Sequence, residues 1–332
     1  MMNHRSAGLS DEDVIQMYRM MYLSRKLDER QWMLNRTGKI PFVISCQGHE
    51  AAQVGAAWAL QAGSDAVFPY YRDLGVVLTL GVHPRHIMLA AFAKAEDPAS
   101  GGRQMPNHFS DPKLNIFTQS SPTGSQIPHA VGFALAFKMR GEQKVSFVSF
   151  GDGTSNQGDF HEGLNFAGVH RLPVIAFVEN NTYAISVPYH KQVASKTIAE
   201  RAGSYGMEGV LVDGSDPFLV YQAVKEARHR ALEGRGGTLI EARVSRLVPH
   251  SSDDDDRTYR DQKELEEEKA RDALGKMRAY ILDQSLSDEE AITTLEKEVM
   301  AIVNDATTYA ERAPYADPST VTRYVYAEVS NE

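Results

Sequence analysis

Among the 332 residues of the chain, Asp152 and Asn181 are the pair whose types and spacing most suggest shared chemistry. Asp152 lies in Gly151-Asp152-Gly153, straight after the apolar-rich run Val145-Ser146-Phe147-Val148-Ser149-Phe150. Asn181 closes Glu179-Asn180-Asn181, straight after Val174-Ile175-Ala176-Phe177-Val178. Both side chains offer hard oxygen ligands. Mg²⁺ typically takes one or two protein carboxylates and fills its remaining positions with water and phosphate oxygens. Gly151 and Gly153 would let a diphosphate come close to the backbone. Taken singly, each motif reads as a tight turn. Taken together, at this separation, they are far more specific.

For the two residues to meet, the elements between them must return the chain to one edge. The run from 145 to 150 has the length of a strand, and Phe160, Leu164 and Ala167 recur at helical spacing. Pro173 then introduces the second strand. A strand–turn–helix–strand unit places its strands parallel. Asp152 and Asn181 therefore share the carboxyl edge of a sheet, where open α/β sheets bind ligands. The rhythm continues in strands at Val210–Gly214 and Thr238–Ala242, with a helix over Tyr221–Leu232.

Other candidates lie outside this unit. Arg72 follows Tyr70-Tyr71 and a short apolar segment; a lone arginine is usually a surface residue, but this one suits a phosphate. His108, ending Gly101-Gly102-Arg103-Gln104-Met105-Pro106-Asn107-His108, reads by itself as structural. Ser120-Ser121-Pro122-Thr123-Gly124-Ser125-Gln126 is either a cap and turn or a set of hydroxyls and carbonyls for a cofactor or monovalent cation. The four aspartates 253–256 read as a solvated loop unless Arg246, Arg257 and Arg260 pair with them.

The flanking regions are helical. Ser10 with Asp13 predicts a capped helix carrying Val14, Met17, Tyr18 and Met21. Residues 35–48 break that pattern with the composition of an exposed loop around Phe42, and a small-residue helix follows over 50–60. Leu274, Met277 and Ile281 mark one late helix; Ile292, Leu295, Val299 and Ile302 mark another, behind a Ser287…Glu290 capping box. Residues 313–332 read as an extended tail. The expected organisation is a helical extension over 1–40, an α/β domain over 41–260, and helices and tail over 261–332 packed on that domain. A net charge of −9 and the lack of a dense Lys/Arg run argue against nucleic acid. The single cysteine, Cys46, excludes an internal disulfide and a cysteine-based zinc site. No apolar stretch approaches a membrane span and no signal-peptide core opens the chain, so the expected location is cytoplasmic.

From near residue 14 onward, FPYYRDLG, GRQMPNH, SSPTGSQIPHAVG, GDG…ENNTYAISVP and VPHSSDDDDRTYR together resemble the E1 component α subunit of 2-oxo acid dehydrogenase complexes, nearest its branched-chain branch. The resemblance implies a thiamin diphosphate-binding α/β fold, a mostly parallel sheet flanked by helices, with helical extensions at both ends. It also implies oxidative decarboxylation of a branched-chain 2-oxo acid and reductive acylation of the lipoyl group of an E2 acyltransferase. Carried over to this sequence, Asp152, Asn181 and the Tyr183 carbonyl would bind Mg²⁺. Tyr71, Arg72, Ser121, Thr123, Gly153 and Thr154 would contact thiamin diphosphate, with Arg72 on the diphosphate. His250 would stand at the mouth of the site as proton donor or lipoyl-positioning group. Phe42, Tyr71, Met105 and His108 would surround the substrate side chain. Arg246, Asp254, Tyr259 and Arg260 would order the loop bearing His250, and Ser120, Ser125 and Gln126 would match a K⁺ loop. Ser251 aligns with a serine phosphorylated in mammalian relatives. An E1 β subunit, in an α2β2 assembly, would complete the site.

Some positions depart from the pattern. Glu179 stands where some relatives carry an arginine that helps hold the diphosphate, so positive charge must come from elsewhere. Thr123 replaces a larger apolar residue of some relatives and Asp152 a glutamate, and the loop at 248–256, VPHSSDDDD, is more acidic than the mammalian one. Three rival readings make different demands. A nicotinamide dehydrogenase requires G-x-G-x-x-G, and GDGTSN lacks the third glycine. A non-catalytic Mg²⁺–diphosphate scaffold would need none of His250, Arg72, Asp152 and Asn181 together. Pyruvate or acetoin is the alternative substrate, since one methyl group discriminates by only about 1–3 kcal/mol.

Overall fold

The structure is a computed structural model, and it describes residues 1–323, 325 and 326. In chain order the strands are β1 (Ala66–Phe68), β2 (Ser146–Gly151), β3 (Val174–Asn180), the two-residue β4 (Tyr183–Ala184) and β5 (Val187–Pro188), β6 (Glu208–Asp213) and β7 (Thr238–Arg243). The helices are α1 (Asp11–Arg36), α2 (Glu50–Trp58), α3 (Leu74–Thr79), α4 (Pro84–Ala91), α5 (Gln126–Arg140), α6 (Gly158–Val169), α7 (Pro217–Leu232), α8 (Gln262–Lys269), α9 (Ala273–Asp283) and α10 (Glu289–Arg312).

Alternation along the central strands explains the layers. Phe147, Ile175, Phe177, Ile240 and Ala242 point to one face, where they join apolar residues of α1–α4, α7 and α10. Val148, Phe150, Val174, Ala176, Val178 and Leu239 point to the other, against α5 and α6. A sheet covered on both faces favours parallel strands. All four pairings are parallel, in the order β1-β2-β3-β7-β6. The predicted helical face of Phe160, Leu164 and Ala167 is fully buried, with Phe160 edge-on to Phe150 at 5.6 Å between ring centroids. Gly55 allows α2 to meet α7 closely, because a Cβ there would lie 2.5 Å from the Pro217 carbonyl oxygen.

The terminal helices lie on this core. The Ser10–Asp13 capping box is present, and Val14, Met17, Tyr18 and Met21 pack with Met277, Ile281 and Ile292. Arg25 of α1 holds both Glu50 (Nε–Oε1 2.5 Å) and Asp272 (Nη1–Oδ2 2.7 Å).

Four expectations are corrected. Asp288, not Ser287, caps α10, its carboxylate accepting from the Ala291 amide. The segment around Phe42 is not an exposed loop: Val43, Ile44, Ser45 and Cys46 are buried, with Asp28 accepting from Ser45 Oγ (2.6 Å), the Cys46 amide (3.2 Å) and Gln47 Nε2 (2.7 Å), the Ile44 carbonyl accepting from Asn107 Nδ2 (3.2 Å) and the Val43 carbonyl from the Ser252 amide (2.8 Å). Helix α8 and the β4–β5 hairpin, too short to show periodicity, are additional elements. The tail is not simply extended. It returns to the core, where the Ala95 amide donates to the Pro314 carbonyl (3.0 Å) and Lys94 lies over Tyr315, before a 3₁₀ turn at Pro318–Thr320. Residues 324 and 327–332 of the expected tail lie outside the described residues.

Phe160 tests the strand–helix packing: Phe160→Ala should cost about 3–5 kcal/mol, read as a lowered denaturant midpoint with an unchanged slope.

Candidate active site

The β2–β3 register sets Gly151 beside Glu179, so the chain leaves both strands at the same level, one residue before Asp152 and two before Asn181. A cavity of about 550 Å³ opens at that edge. Its wall includes Phe42, Tyr71, Arg72, Met105, His108, Ser121, Thr123, Asp152, Gly153, Thr154, Asn181, Tyr183 and His250. Every residue expected at the cofactor, the metal or the substrate side chain thus lies on one cavity, although the segments are separated by up to 208 positions (250 − 42). A larger depression of about 780 Å³ lies elsewhere, between β6, α7 and the N-terminal turn, and contains none of them.

Two opposite charges face this cavity without a direct ion-pair partner; Glu179 acts on Arg72, and Arg246 on Asp152, only through space. Arg72 is 2% exposed; its guanidinium donates to the Ser45 carbonyl and, through Nη2, to His250 Nδ1 (3.3 Å), while Nε has no partner. None of these bonds goes to a carboxylate. Asp152 is 1% exposed, and its side chain accepts from the neutral Gln192 amide (Nε2–Oδ2 2.5 Å). Burial pushes the Asp152 carboxyl up to about 6, against the lowering effect of Gln192. A buried charge without a counter-charge is costly. A bound dianion for Arg72 and a cation for Asp152 would relieve both. No cluster of three or more His, Cys, Asp or Glu able to hold a metal exists among the described residues. A cation beside Asp152 must therefore draw on amide and carbonyl oxygens and on the ligand itself, as Mg²⁺ does.

Those oxygens are at hand. Asn181 Oδ1 accepts from the Tyr183 amide (3.2 Å), and its Nδ2 donates to His49 Nε2 (3.2 Å). The β4–β5 hairpin then folds back over the turn at Asp152–Asn156. A Cβ on Gly153 would lie 2.7 Å from Ala184 Cβ, so Gly153 is required by the hairpin. At Gly151 a Cβ would meet nothing nearer than Tyr70 at 3.9 Å; this is the glycine that leaves room in the cavity. Thr182 (φ 68°) and Ile185 (φ 57°) adopt left-handed backbone conformations that β-branched residues rarely accept. Such strain is concentrated at functional sites.

In the 246–260 segment Arg246, Asp254, Tyr259 and Arg260 are joined by hydrogen bonds. Arg246 donates to the Ile185 carbonyl (2.9 Å) and to Tyr259 Oη (2.7 Å), and Tyr259 in turn donates to Asp254. Asp254 accepts from the His250 amide (2.7 Å), and Arg260 donates to the Arg246 carbonyl. Of the arginines expected to pair with the aspartate run, only Arg257 does so directly, with Asp255 (2.7 Å); Arg260 pairs with Glu268 (2.5 Å). Ser251 is 7% exposed. Burial, then the charges of Arg72 and Arg246, push His250 down to about 3, so the ring is neutral. Since Nδ1 faces the Arg72 donor, the single ring proton belongs on Nε2. At the other wall His108 Nδ1 donates to the Met105 carbonyl (3.0 Å), leaving Nε2 to accept from Ser121 Oγ (3.0 Å).

Two expectations change here. Glu179 is not on the cavity wall. It is fully buried behind it, Oε2 accepting from His49 Nδ1 (2.6 Å), Tyr70 Oη (2.9 Å) and Gln53 Nε2 (3.0 Å). Burial opposes its charge, but these donors hold Glu179 ionised, and burial together with that charge pushes neighbouring Asp73 far up, so Asp73 keeps the proton. The hydroxyls of Ser120 and Ser125 meet at the Pro122 carbonyl, but Gln126 turns inward, accepting from the Gly124 amide (3.0 Å) and donating to the Ser149 carbonyl (3.2 Å). Sequence reasoning missed Ile44, Tyr70, Gln119, Gln157 and Ile185 on the wall, and Gln192 behind Asp152.

The chain matches the family model described as "Dehydrogenase E1 component" over residues 18–319. It is 59% identical over 325 residues to the 2-oxoisovalerate dehydrogenase subunit alpha of Bacillus subtilis, covering 98% of each chain. It is 39% identical to the 3-methyl-2-oxobutanoate dehydrogenase subunit alpha of Mycobacterium tuberculosis, over 97% of this chain and 85% of the relative. To the pyruvate dehydrogenase E1 component subunit alpha of Bacillus cereus it is 37% identical, over 92% of this chain and 80% of the relative.

Two measurements follow from the His250 geometry. In ¹H–¹⁵N spectra of the cofactor-free protein, His250 should remain neutral, with the proton on Nε2, down to about pH 4. Because its folded pKa lies below the ordinary 6.5, it stabilises the fold fully above pH 6.5, and that contribution fades as pH falls toward 3. A midpoint near 6.5 would show that burial and Arg72 do not act on it. Tyr259→Phe removes the hydroxyl between Arg246 and Asp254, and should speed tryptic cleavage after the exposed Arg257 several-fold.

Proposed function

Because the chain belongs to the dehydrogenase E1 component family, we propose that it is the α subunit of a branched-chain 2-oxo acid dehydrogenase, acting on 3-methyl-2-oxobutanoate and its homologues. The supporting observation is the cavity with a buried guanidinium, Arg72, and a buried carboxylate, Asp152, on one wall, neither in a direct ion pair. That pairing fits a diphosphate with its metal. A non-catalytic scaffold holding the same diphosphate and metal would need Arg72 and Asp152 equally; His250, on the same wall, is the residue it would not need.

Thiamin diphosphate, when bound, supplies the nucleophilic carbon and electron sink for decarboxylation. This chain's own groups bind and orient it. Arg72 takes the diphosphate charge; Asp152, Asn181 Oδ1 and the Tyr183 carbonyl hold Mg²⁺. Gly153 and Thr154 back the diphosphate, at a turn whose leading amides lack helical partners. Tyr71, Ser121 and Thr123 flank the cofactor, and Phe42, Tyr71, Met105 and His108 take the substrate side chain, with Ile44 and Ile185 adding apolar wall. Neutral His250 presents its Nε2–H at the mouth, suited to donating a proton or positioning an incoming lipoyl group. K⁺, if taken up, sits among Ser120, Ser125 and the Pro122 carbonyl without Gln126.

A β subunit is the partner in this reading, in an α2β2 assembly, with the lipoyl domain of E2 as acyl acceptor. Met105, 52% exposed on the cavity wall, is placed for cover by that partner. Residues 41–260 form the cofactor-binding domain, with 1–40 and 261–332 packed on it. The location in this reading is cytoplasmic; no helix among the described residues is long and apolar enough to cross a membrane.

The test is decarboxylation with an artificial electron acceptor, by the chain alone and co-expressed with its β partner. Activity should appear only in the pair, require thiamin diphosphate and Mg²⁺, and favour 3-methyl-2-oxobutanoate over pyruvate. Asp152→Ala should lower it at least about 100-fold. Preference for pyruvate would overturn the substrate; a well-formed pair that binds no thiamin diphosphate would overturn the enzyme.

A further inference from the structure

Asn181 can serve a cation in only one of its two amide orientations. With Oδ1 toward the cation it is a ligand; flipped, it presents two N–H donors and repels the ion. The structure shows what decides between them. On one side the Tyr183 amide donates to Oδ1 (3.2 Å), and on the other Nδ2 faces His49 Nε2 (3.2 Å). His49 is fully buried, and its Nδ1 lies 2.6 Å from Glu179 Oε2. A carboxylate acceptor at Nδ1 places the imidazole proton there and leaves Nε2 as a bare acceptor. That lone pair can receive only the NH₂ group of Asn181.

We propose that His49, with its tautomer set by Glu179, is a positioning residue that aims the Asn181 carboxamide oxygen at the metal. Glu179 thereby acts on the site from behind the wall, through His49, rather than by touching the diphosphate. Tyr70 and Gln53 fix the same carboxylate oxygen, so its direction toward His49 is held from three sides. The inference rests on the metal-ligand reading of Asn181 given above.

The experiment uses the chain assembled with its β partner. Mg²⁺ is titrated at fixed thiamin diphosphate, following quenching of intrinsic fluorescence, with kcat at saturating Mg²⁺ as a second readout. His49→Phe keeps a ring of similar volume without nitrogen; His49→Asn keeps polarity but is too short to span Glu179 and Asn181. Both should raise the Mg²⁺ half-saturation about 10–100-fold, with kcat at saturating metal within about 3-fold of the parent. His49→Gln, which can donate to Glu179 and accept from Asn181, should restore near-parental Mg²⁺ affinity. Should His49→Phe fail to assemble, the contrast between Asn and Gln decides. If both retain parental Mg²⁺ affinity, or if Gln is as impaired as Asn, His49 does not aim Asn181. If the parent shows no Mg²⁺-dependent thiamin diphosphate binding, the functional reading itself falls.

Discussion

The register between β2 and β3 is the constraint from which the site follows. Gly151 lies beside Glu179, so the two strands release the chain at one level of a sheet that is apolar on both faces. A one-residue slip would exchange the faces of β3, sending Ile175 and Phe177 to the α5–α6 side and moving Asn181 away from Asp152. The full burial of β2 and β3 makes that slip costly, and the same burial that stabilises the core fixes the distance between two candidate metal ligands.

Above that edge, the chain distributes charge in two different ways. In the terminal layer, Arg25 is satisfied by Glu50 and Asp272, a closed internal arrangement. Behind the cavity, Glu179 is closed off as well, by three donors and a protonated Asp73. On the cavity wall Arg72 and Asp152 are left open. Neutral His250 between Arg72 and the Asp254 relay fits this division, since another cation there would only add to the repulsion.

Much of this was legible in the sequence. The 145–178 unit is two strand-length apolar runs around a helical stripe, and periodicity describes such segments well. Arg72 could be named as a phosphate candidate from its neighbours, but His250 and the Arg246–Asp254–Tyr259–Arg260 network only through a resemblance among motifs, because their meeting depends on contacts such as Arg72–His250, 178 residues apart. His49 and Gln192 were invisible for a related reason. His49 stands at the start of α2 and reads as ordinary helix entry, whereas its partners lie 130 and 132 residues onward. The 43–46 segment misled because its partners are distant in sequence: Asp28 gathers Ser45, Cys46 and Gln47, Asn107 donates to the Ile44 carbonyl and the Ser252 amide to that of Val43, tertiary contacts with no local signature. The two-residue strands of the hairpin carry no period to detect.

That Asp28 clamp also determines how the protein can be chemically labelled. Cys46, the only cysteine of the chain, is 1% exposed inside the clamp, and burial pushes its thiol well up from the ordinary range. Alkylation needs an accessible thiolate, so the native chain is silent toward maleimides. A cysteine introduced at the rim, for example at Met105, would be this chain's sole reactive handle, and a fluorophore there would look directly into the cavity without any background to subtract.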